Sequence, residues 1–126
     1  MTNDDLAAKN KDLVLHGLAE FTGGNIEVLR DLLHEDFLEH SPGNPSGRDA
    51  FLDFLATAPV TGARLDIKRV VTDDEYAVVH YHMIEPGAER GSAVVDIWRL
   101  EDGKIVEHWD VVQPVPDDAQ IPHGMF

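Results

Sequence analysis

Asp96, His108 and Asp110 are the residues in this sequence best suited to moving a proton. Asp96 stands in the run Val94-Val95-Asp96-Ile97-Trp98, where residues of high β-propensity flank a carboxylate on both sides. Turned inward, that carboxylate would have its pKa raised by desolvation and could act as general acid, general base or hydrogen-bond donor. Turned outward, it would face solvent on the wet side of an antiparallel sheet, or pair with Arg99 or Lys68. His108 and Asp110 are two residues apart, so on a strand they share a face, where a carboxylate can orient an imidazole. A surface ion pair is the plainer reading of the same spacing. His80 and His82 repeat it. An H-x-H pair on a strand can place two imidazoles on one metal, with Asp96, His108 or Glu85 completing the site, although same-face histidines are common without a metal. His40, in the Glu39-His40-Ser41-Pro42 turn, is by itself an ordinary loop histidine, and Trp98 and Trp109 read first as core aromatics.

The elements that must position these residues centre on a hairpin. Residues 94–113 read as two strands joined at Glu101-Asp102-Gly103, because Asp-Gly tolerates the left-handed backbone that a tight hairpin turn needs. On the first strand Val95 and Ile97 share one face, and Asp96 and Trp98 the other. On the second, Lys104, Val106, His108, Asp110 and Val112 lie opposite Ile105, Glu107, Trp109 and Val111. Acids, a histidine and two tryptophans mixed into apolar strands point polar groups into a pocket or core. Upstream, residues 76–84 alternate in the same way, with Val78, His80 and His82 opposite Ala77, Val79, Tyr81 and Met83. In residues 63–72, Leu65, Ile67 and Arg69 set one face.

The period before residue 63 is helical. A first helix over residues 4–21 is capped by Asn3 and carries Leu6, Leu13, Leu18 and Phe21. Asn25 caps a second helix with Ile26, Leu29, Leu32 and Leu33. A third runs from Gly47 to about Thr57, with Phe51, Phe54 and Leu55, and Pro59 closes it. Residues 34–43 are extended or turning, since residues before proline avoid the helical region. The tail from Pro114 holds three prolines and reads as an extended arm. Three helices followed by consecutive, antiparallel strands define an α+β domain with helices on one face of a curved sheet.

At 126 residues and 43% hydrophobic content, residues 1–126 form one globular domain. No apolar run reaches membrane-spanning length, and Met1-Thr2-Asn3-Asp4-Asp5 is not the start of a signal peptide. The absence of cysteine fits a reducing cytoplasm. A net charge of −14 argues against nucleic acid or an anionic membrane as partner. No Ser-His-Asp spacing, Walker motif or dinucleotide fingerprint is present; a small-molecule substrate and no cofactor are expected.

Four segments carry a resemblance: Gly24-Asn25-Ile26-Glu27, the stretch from Phe37 to Pro42, Gly47-Arg48-Asp49-Ala50-Phe51 and, above all, residues 96–110. Over nearly its whole length the chain resembles the SnoaL-like polyketide cyclase group of the nuclear transport factor 2-like superfamily. The ending Ile121-Pro122-His123-Gly124-Met125-Phe126 is similar to that of bacterial members described as predicted aldol-condensation enzymes. The resemblance implies a cone-shaped, cystatin-like fold: three N-terminal helices packed on a strongly curved, mainly antiparallel sheet enclosing a pocket, with homodimers formed through the outer sheet face. It implies that Asp96 points into the cone as the acid/base of an intramolecular aldol closure, and that the face holding His108 and Asp110 lines the pocket. His40 falls where the related ketosteroid isomerases carry their proton-abstracting Asp. His80, His82, Trp98, Val94 and Val112 would complete the pocket. The first helix has no tyrosine to serve as a phenolic oxyanion donor, and the Asp base is replaced by His40, so steroid isomerisation is not expected.

The resulting expectation is a cytoplasmic enzyme performing cofactor-free proton transfer next to a carbonyl, in an aldol-type condensation or cyclisation. Asp96 would be the general acid/base, His108 its partner oriented by Asp110, and His40 a second base or hydrogen-bond donor. A metal-dependent enzyme using His80, His82 and His108 and a non-catalytic ligand-binding dimer module are the alternatives.

Overall fold

Apolar alternation and a tight turn at Asp102-Gly103 build the centre of the molecule. In the computed structural model, which describes residues 1–58 and 62–126, the chain runs α1 (Asn3–Thr22), α2 (Val28–Leu32), β1 (Leu33–Glu39), α3 (Arg48–Leu55), β2 (Arg64–Thr72), β3 (Tyr76–Ile84), β4 (Ser92–Glu101) and β5 (Lys104–Pro114), with a 3-10 turn at Asp118–Gln120. The five strands form one open sheet in the order β1-β5-β4-β3-β2. Strands β2 to β5 pair antiparallel with their sequence neighbours, as the alternation predicts. At the β4–β5 turn Asp102 and Gly103 both adopt left-handed backbone, with φ of 51° and 76°.

Three features depart from the sequence reading. Residues 33–39 form an edge strand, β1, running parallel to β5 and pairing Leu38 with Glu107 and Glu39 with His108. Its pattern is obscured because only Leu33 and Phe37 are buried in a segment that also holds His34, Glu35 and Asp36. Second, β5 is bulged: Leu100 pairs with Ile105 but Arg99 with Glu107, leaving Val106 as an extra residue. One extra residue inverts the alternation, so Ile105 joins His108 on the inner face instead of lying opposite it. A bulge at Lys68 has the same effect on β2, where Ile67 pairs with inward-facing Tyr81 but Arg69 with outward-facing His80.

The helices differ in their caps. The N-cap of α1 is Thr2, not Asn3, and it forms a capping box with Asp5. Asn25 does not cap α2; its side chain donates to Glu20 Oε2 at 3.0 Å, and α2 begins at Val28 without a side-chain cap. Gly47 precedes α3, which ends at Leu55, and Pro59 lies outside the described residues. Among those residues no helix is long and apolar enough to cross a membrane.

All three helices cover the inner face of the sheet. Phe21 of α1 and Phe51, Leu52 and Leu55 of α3 pack in one apolar cluster with Phe37 of β1 and Val79 of β3. Asn10 ties α1 to the β2–β3 turn by donating to the Asp73 carbonyl at 3.0 Å. The C-terminal tail folds back onto the outer face, where the Phe126 ring stacks on His82 with centroids 4.6 Å apart.

Candidate active site

The inner face of β4 and β5 and the helices opposite enclose a cavity of ≈ 120 Å³. Its apolar part comes from residues such as Val14, Leu18, Phe21, Phe51 and Leu55, and its polar wall from Glu39, Tyr81, Asp96, Trp98, His108 and Asp110. Strand register places the polar groups. Alternation along β4 sends Val94, Asp96 and Trp98 inward, and the β4–β5 pairing sets Asp96 opposite Asp110 and Trp98 opposite His108. The parallel pairing of β1 then brings Glu39 alongside His108.

His108 is the hub. Its Nε2 lies 2.9 Å from Asp96 Oδ1 and its Nδ1 2.7 Å from Glu39 Oε1, with all three side chains at most 5% exposed. Burial alone would pull the imidazole pKa down. The hydrogen bonds and charges of Asp96 and Glu39 outweigh it and lift the pKa from 6.5 to about 9, so the ring is an imidazolium at neutral pH, donating from both nitrogens. The Trp98 indole stacks on it, with centroids 3.8 Å apart and planes 26° apart, an arrangement favourable to a cation.

The surrounding groups are set by the same cluster. Burial and the adjacent Asp96 charge push the Tyr81 hydroxyl far above its ordinary pKa, so it stays protonated as a donor beside Asp96. Burial also raises the Asp110 carboxyl, aided by the charges of Asp96 and Glu39. The Ser41 hydroxyl, donating to Asp110 Oδ2 at 2.9 Å, and the His108 charge act in the opposite direction.

Of the residues expected from the sequence, Asp96, His108, Asp110 and Trp98 meet in the cavity. The remaining five lie elsewhere. His40 is on the outer face, bonded to Glu107 Oε2 at 2.6 Å and stacked on Trp109, because alternation turns it away from Phe37 and Glu39. His80 and His82 also point outward, since alternation turns the neighbouring Val79 and Tyr81 into the core. His80 bonds Arg69, and His82 bonds the Arg90 carbonyl at 2.6 Å. Val94 is part of the packed core, and Val112 near the end of β5 is 50% exposed. The orienting carboxylate of His108 is Glu39 rather than Asp110.

A metal set of His80, His82 and His108 is therefore divided between the two faces of the sheet. Asp96, His108 and Asp110 do offer donor atoms within 4.8 Å of one another. A metal there would have to displace the proton that His108 Nε2 shares with Asp96.

Glu39, Ser41 and Tyr81 are cavity or cluster residues that the sequence reading did not select. Tyr81 lies on the strand face opposite His80 and His82, and that face, not theirs, is the buried one. For Glu39 the usable signal was its period-2 spacing from Phe37, which puts the two on one face and sends His40 to the other.

Helices closing one face of an open, bulged sheet over a polar cluster define the nuclear transport factor 2-like class, and solved structures of that class superpose on the chain. A candidate ketosteroid isomerase from Kribbella flavida aligns with TM-score 0.77 at 21% identity, covering 95% of this chain and 92% of its own. A candidate SnoaL-like polyketide cyclase from Jannaschia sp. CCS1 gives 0.76 at 17%, covering 90% and 91%. A nuclear transport factor 2-like protein of unknown function from Burkholderia xenovorans gives 0.79 at 16%, covering 94% and 97%. At these identities the likeness concerns the fold. No curated protein matches the sequence. The family model of the SnoaL-like domain matches residues 14–108, and the chain belongs to that family.

Proposed function

We propose that this protein catalyses cofactor-free acid/base chemistry next to a carbonyl of a small organic substrate, in an aldol-type condensation or cyclisation. The observation that supports it is Asp96, a buried carboxylate on an apolar cavity, held by an imidazolium that Glu39 fixes from the other side. Asp96 takes the proton as the C–H bond next to the carbonyl breaks; the cationic His108 ring 2.9 Å away favours negative charge in the cavity, and the Trp98 N–H, which has no acceptor, is free to donate to the developing enolate oxygen. The enolate carbon bonds to a second carbonyl carbon, whose oxygen receives the proton from Asp96. Protons and electrons balance without a cofactor. A carbonyl-chemistry name on two fold relatives, the candidate cyclase and the candidate isomerase, agrees with this reading.

The cavity limits the substrate. At ≈ 120 Å³ it is smaller than the roughly 150 Å³ that admits a benzene molecule, so it encloses a small compound or one end of a longer one. The reading extends to a homodimer through the outer sheet face, where Val71 and Val111 are 66% and 65% exposed.

Deuterium uptake from D2O next to the carbonyl of small ketones and 1,3-dicarbonyl compounds, followed by NMR, tests the chemistry without knowledge of the natural substrate. Asp96→Asn should lower the catalysed rate by about 100-fold or more. Equal uptake by wild type and variant would remove Asp96 from the mechanism.

A further inference from the structure

Among the described residues, two buried side-chain polar atoms have no hydrogen-bond partner: Glu39 Oε2 and Trp98 Nε1. Both belong to side chains that line the cavity and touch His108, one through Oε1 and the other through ring stacking. Buried polar groups are nearly always paired, and an unpaired one costs about 1–3 kcal/mol, more when charged. One of the two residues meets the Nδ1 edge of the His108 ring and the other covers its face, and together they offer one acceptor and one donor. Their chemistry is not interchangeable. A carboxylate oxygen only accepts, so its partner must bring an O–H or N–H; an indole N–H only donates, so its partner must bring a lone pair.

We infer that the cavity recognises a hydroxycarbonyl compound, whose hydroxyl donates to Glu39 Oε2 and whose carbonyl oxygen accepts from Trp98 Nε1. This rests on the carbonyl chemistry proposed above and narrows its substrate class. A hydroxyl is the donor that the proposed carbonyl chemistry itself supplies, whereas an ammonium group has no part in it. The hydroxyl and the carbonyl are also the two groups that an aldol condensation leaves in its product. The Ser41 N–H, donating to Glu39 Oε1 at 3.0 Å, and His108 Nδ1 together occupy the other carboxylate oxygen. Oε2 is thereby left as the one acceptor of Glu39 that a ligand can use. Trp98 holds its N–H through stacking on His108 rather than through a hydrogen bond.

The test is a titration of the intact protein with 4-hydroxybutan-2-one, 4-methoxybutan-2-one and butan-2-one, read by NMR of the indole N–H resonances. The chain has two tryptophans, and Trp98→Phe assigns the signals. The hydroxyketone should bind about tenfold or more tightly than the other two, which cannot donate. It should shift the Trp98 N–H and leave that of Trp109, on the opposite face, in place. In Glu39→Gln the outward atom becomes a donor, so the preference for the hydroxyl should disappear while butan-2-one still binds. Equal affinities in the wild type, an unmoved Trp98 resonance at saturation, or no binding of any of the three overturns the inference. The wild-type titration decides the matter even if a variant does not fold. Because no turnover is measured, failure here is separate from failure of Asp96 in the deuterium-uptake assay.

Discussion

Raising the pH from 6 to 10 should destabilise the protein by removing one proton from His108. Its pKa rises from 6.5 to about 9 on folding, so the folded state holds this proton more tightly than the unfolded chain. The sign follows directly. A raised folded pKa contributes stability that is fully present below about pH 6.5 and is lost as the pH climbs through 9. At about 1.4 kcal/mol per pH unit of separation, the loss is about 3 kcal/mol. That is a large fraction of the roughly 5–15 kcal/mol that holds a typical domain together. Urea unfolding followed by tryptophan fluorescence at pH 6, 7, 8, 9 and 10 measures it. With a slope of about 1–3 kcal/mol per M, the midpoint should fall by about 1–3 M. His108→Gln supplies the control. Asp96 and Glu39 then face each other without a cation, which costs about 3–5 kcal/mol, and the group responsible for the loss between pH 6 and 10 is gone. A wild-type midpoint that stays flat between pH 6 and 10 would refute the charged-histidine account. So would a decline of equal size in the same window in His108→Gln.

Gly91 has a φ of +67°, and a Cβ built there would lie 2.2 Å from the Met83 carbonyl oxygen; Gly103, at +76°, has open space around it. Gly91→Ala should therefore cost clearly more than Gly103→Ala, whose penalty is the left-handed backbone alone at about 1–2 kcal/mol; equal shifts in melting temperature would contradict the packing at the β3–β4 connection. For the proposed dimer, light scattering at about 50 μM should give twice the chain mass, and Val111→Lys should halve it; a wild-type monomer at that concentration would end the dimer reading.

The central architecture was legible because it obeys local rules. Alternation from Tyr76 onward, the Asp-Gly turn and the helical spacing of Leu13, Leu18 and Phe21 marked the helices, strands β2 to β5 and the shared face of Asp96 and Trp98, while the inward direction of that face followed from the family resemblance. The bulges were not legible. Val106 differs from a regular strand residue in neither polarity nor β-propensity, and only its pairing partner reveals that Ile105 and His108 share a face. Edge strand β1 was hidden for a related reason. Its partner β5 lies about seventy residues away, and parallel pairing leaves no turn motif between them. Without β1, Asp110 stood as the carboxylate that orients His108, the place that the structure gives to Glu39. His80 and His82 were grouped correctly opposite Ala77, Val79 and Tyr81, but theirs was the face expected to line the pocket. Period-2 alternation gives two faces but does not say which is the inside, and the core side was identifiable only from Ala77, Val79 and Tyr81 together.

The His108 cluster is poorly designed for stability. Well-packed apolar residues in place of a buried ionic triad are often neutral or stabilising by about 1–4 kcal/mol, and this chain packs Phe37, Val79 and Val94 nearby with almost no exposure. To the triad it adds the unpaired Glu39 Oε2 and Trp98 Nε1. These costs all fall along one wall of one cavity. The other buried polar residue among those described, Asn10, is paired with the Asp73 carbonyl and simply anchors a helix. A fold that satisfies its polar groups elsewhere and leaves them unsatisfied around His108 is holding charge and hydrogen-bonding capacity ready for a second molecule. Local rules fail at that wall for the same physical reason. The bulge at Val106 and the parallel edge strand bring His108 and Glu39 together against the apolar pattern, and the arrangement they create is the candidate site itself.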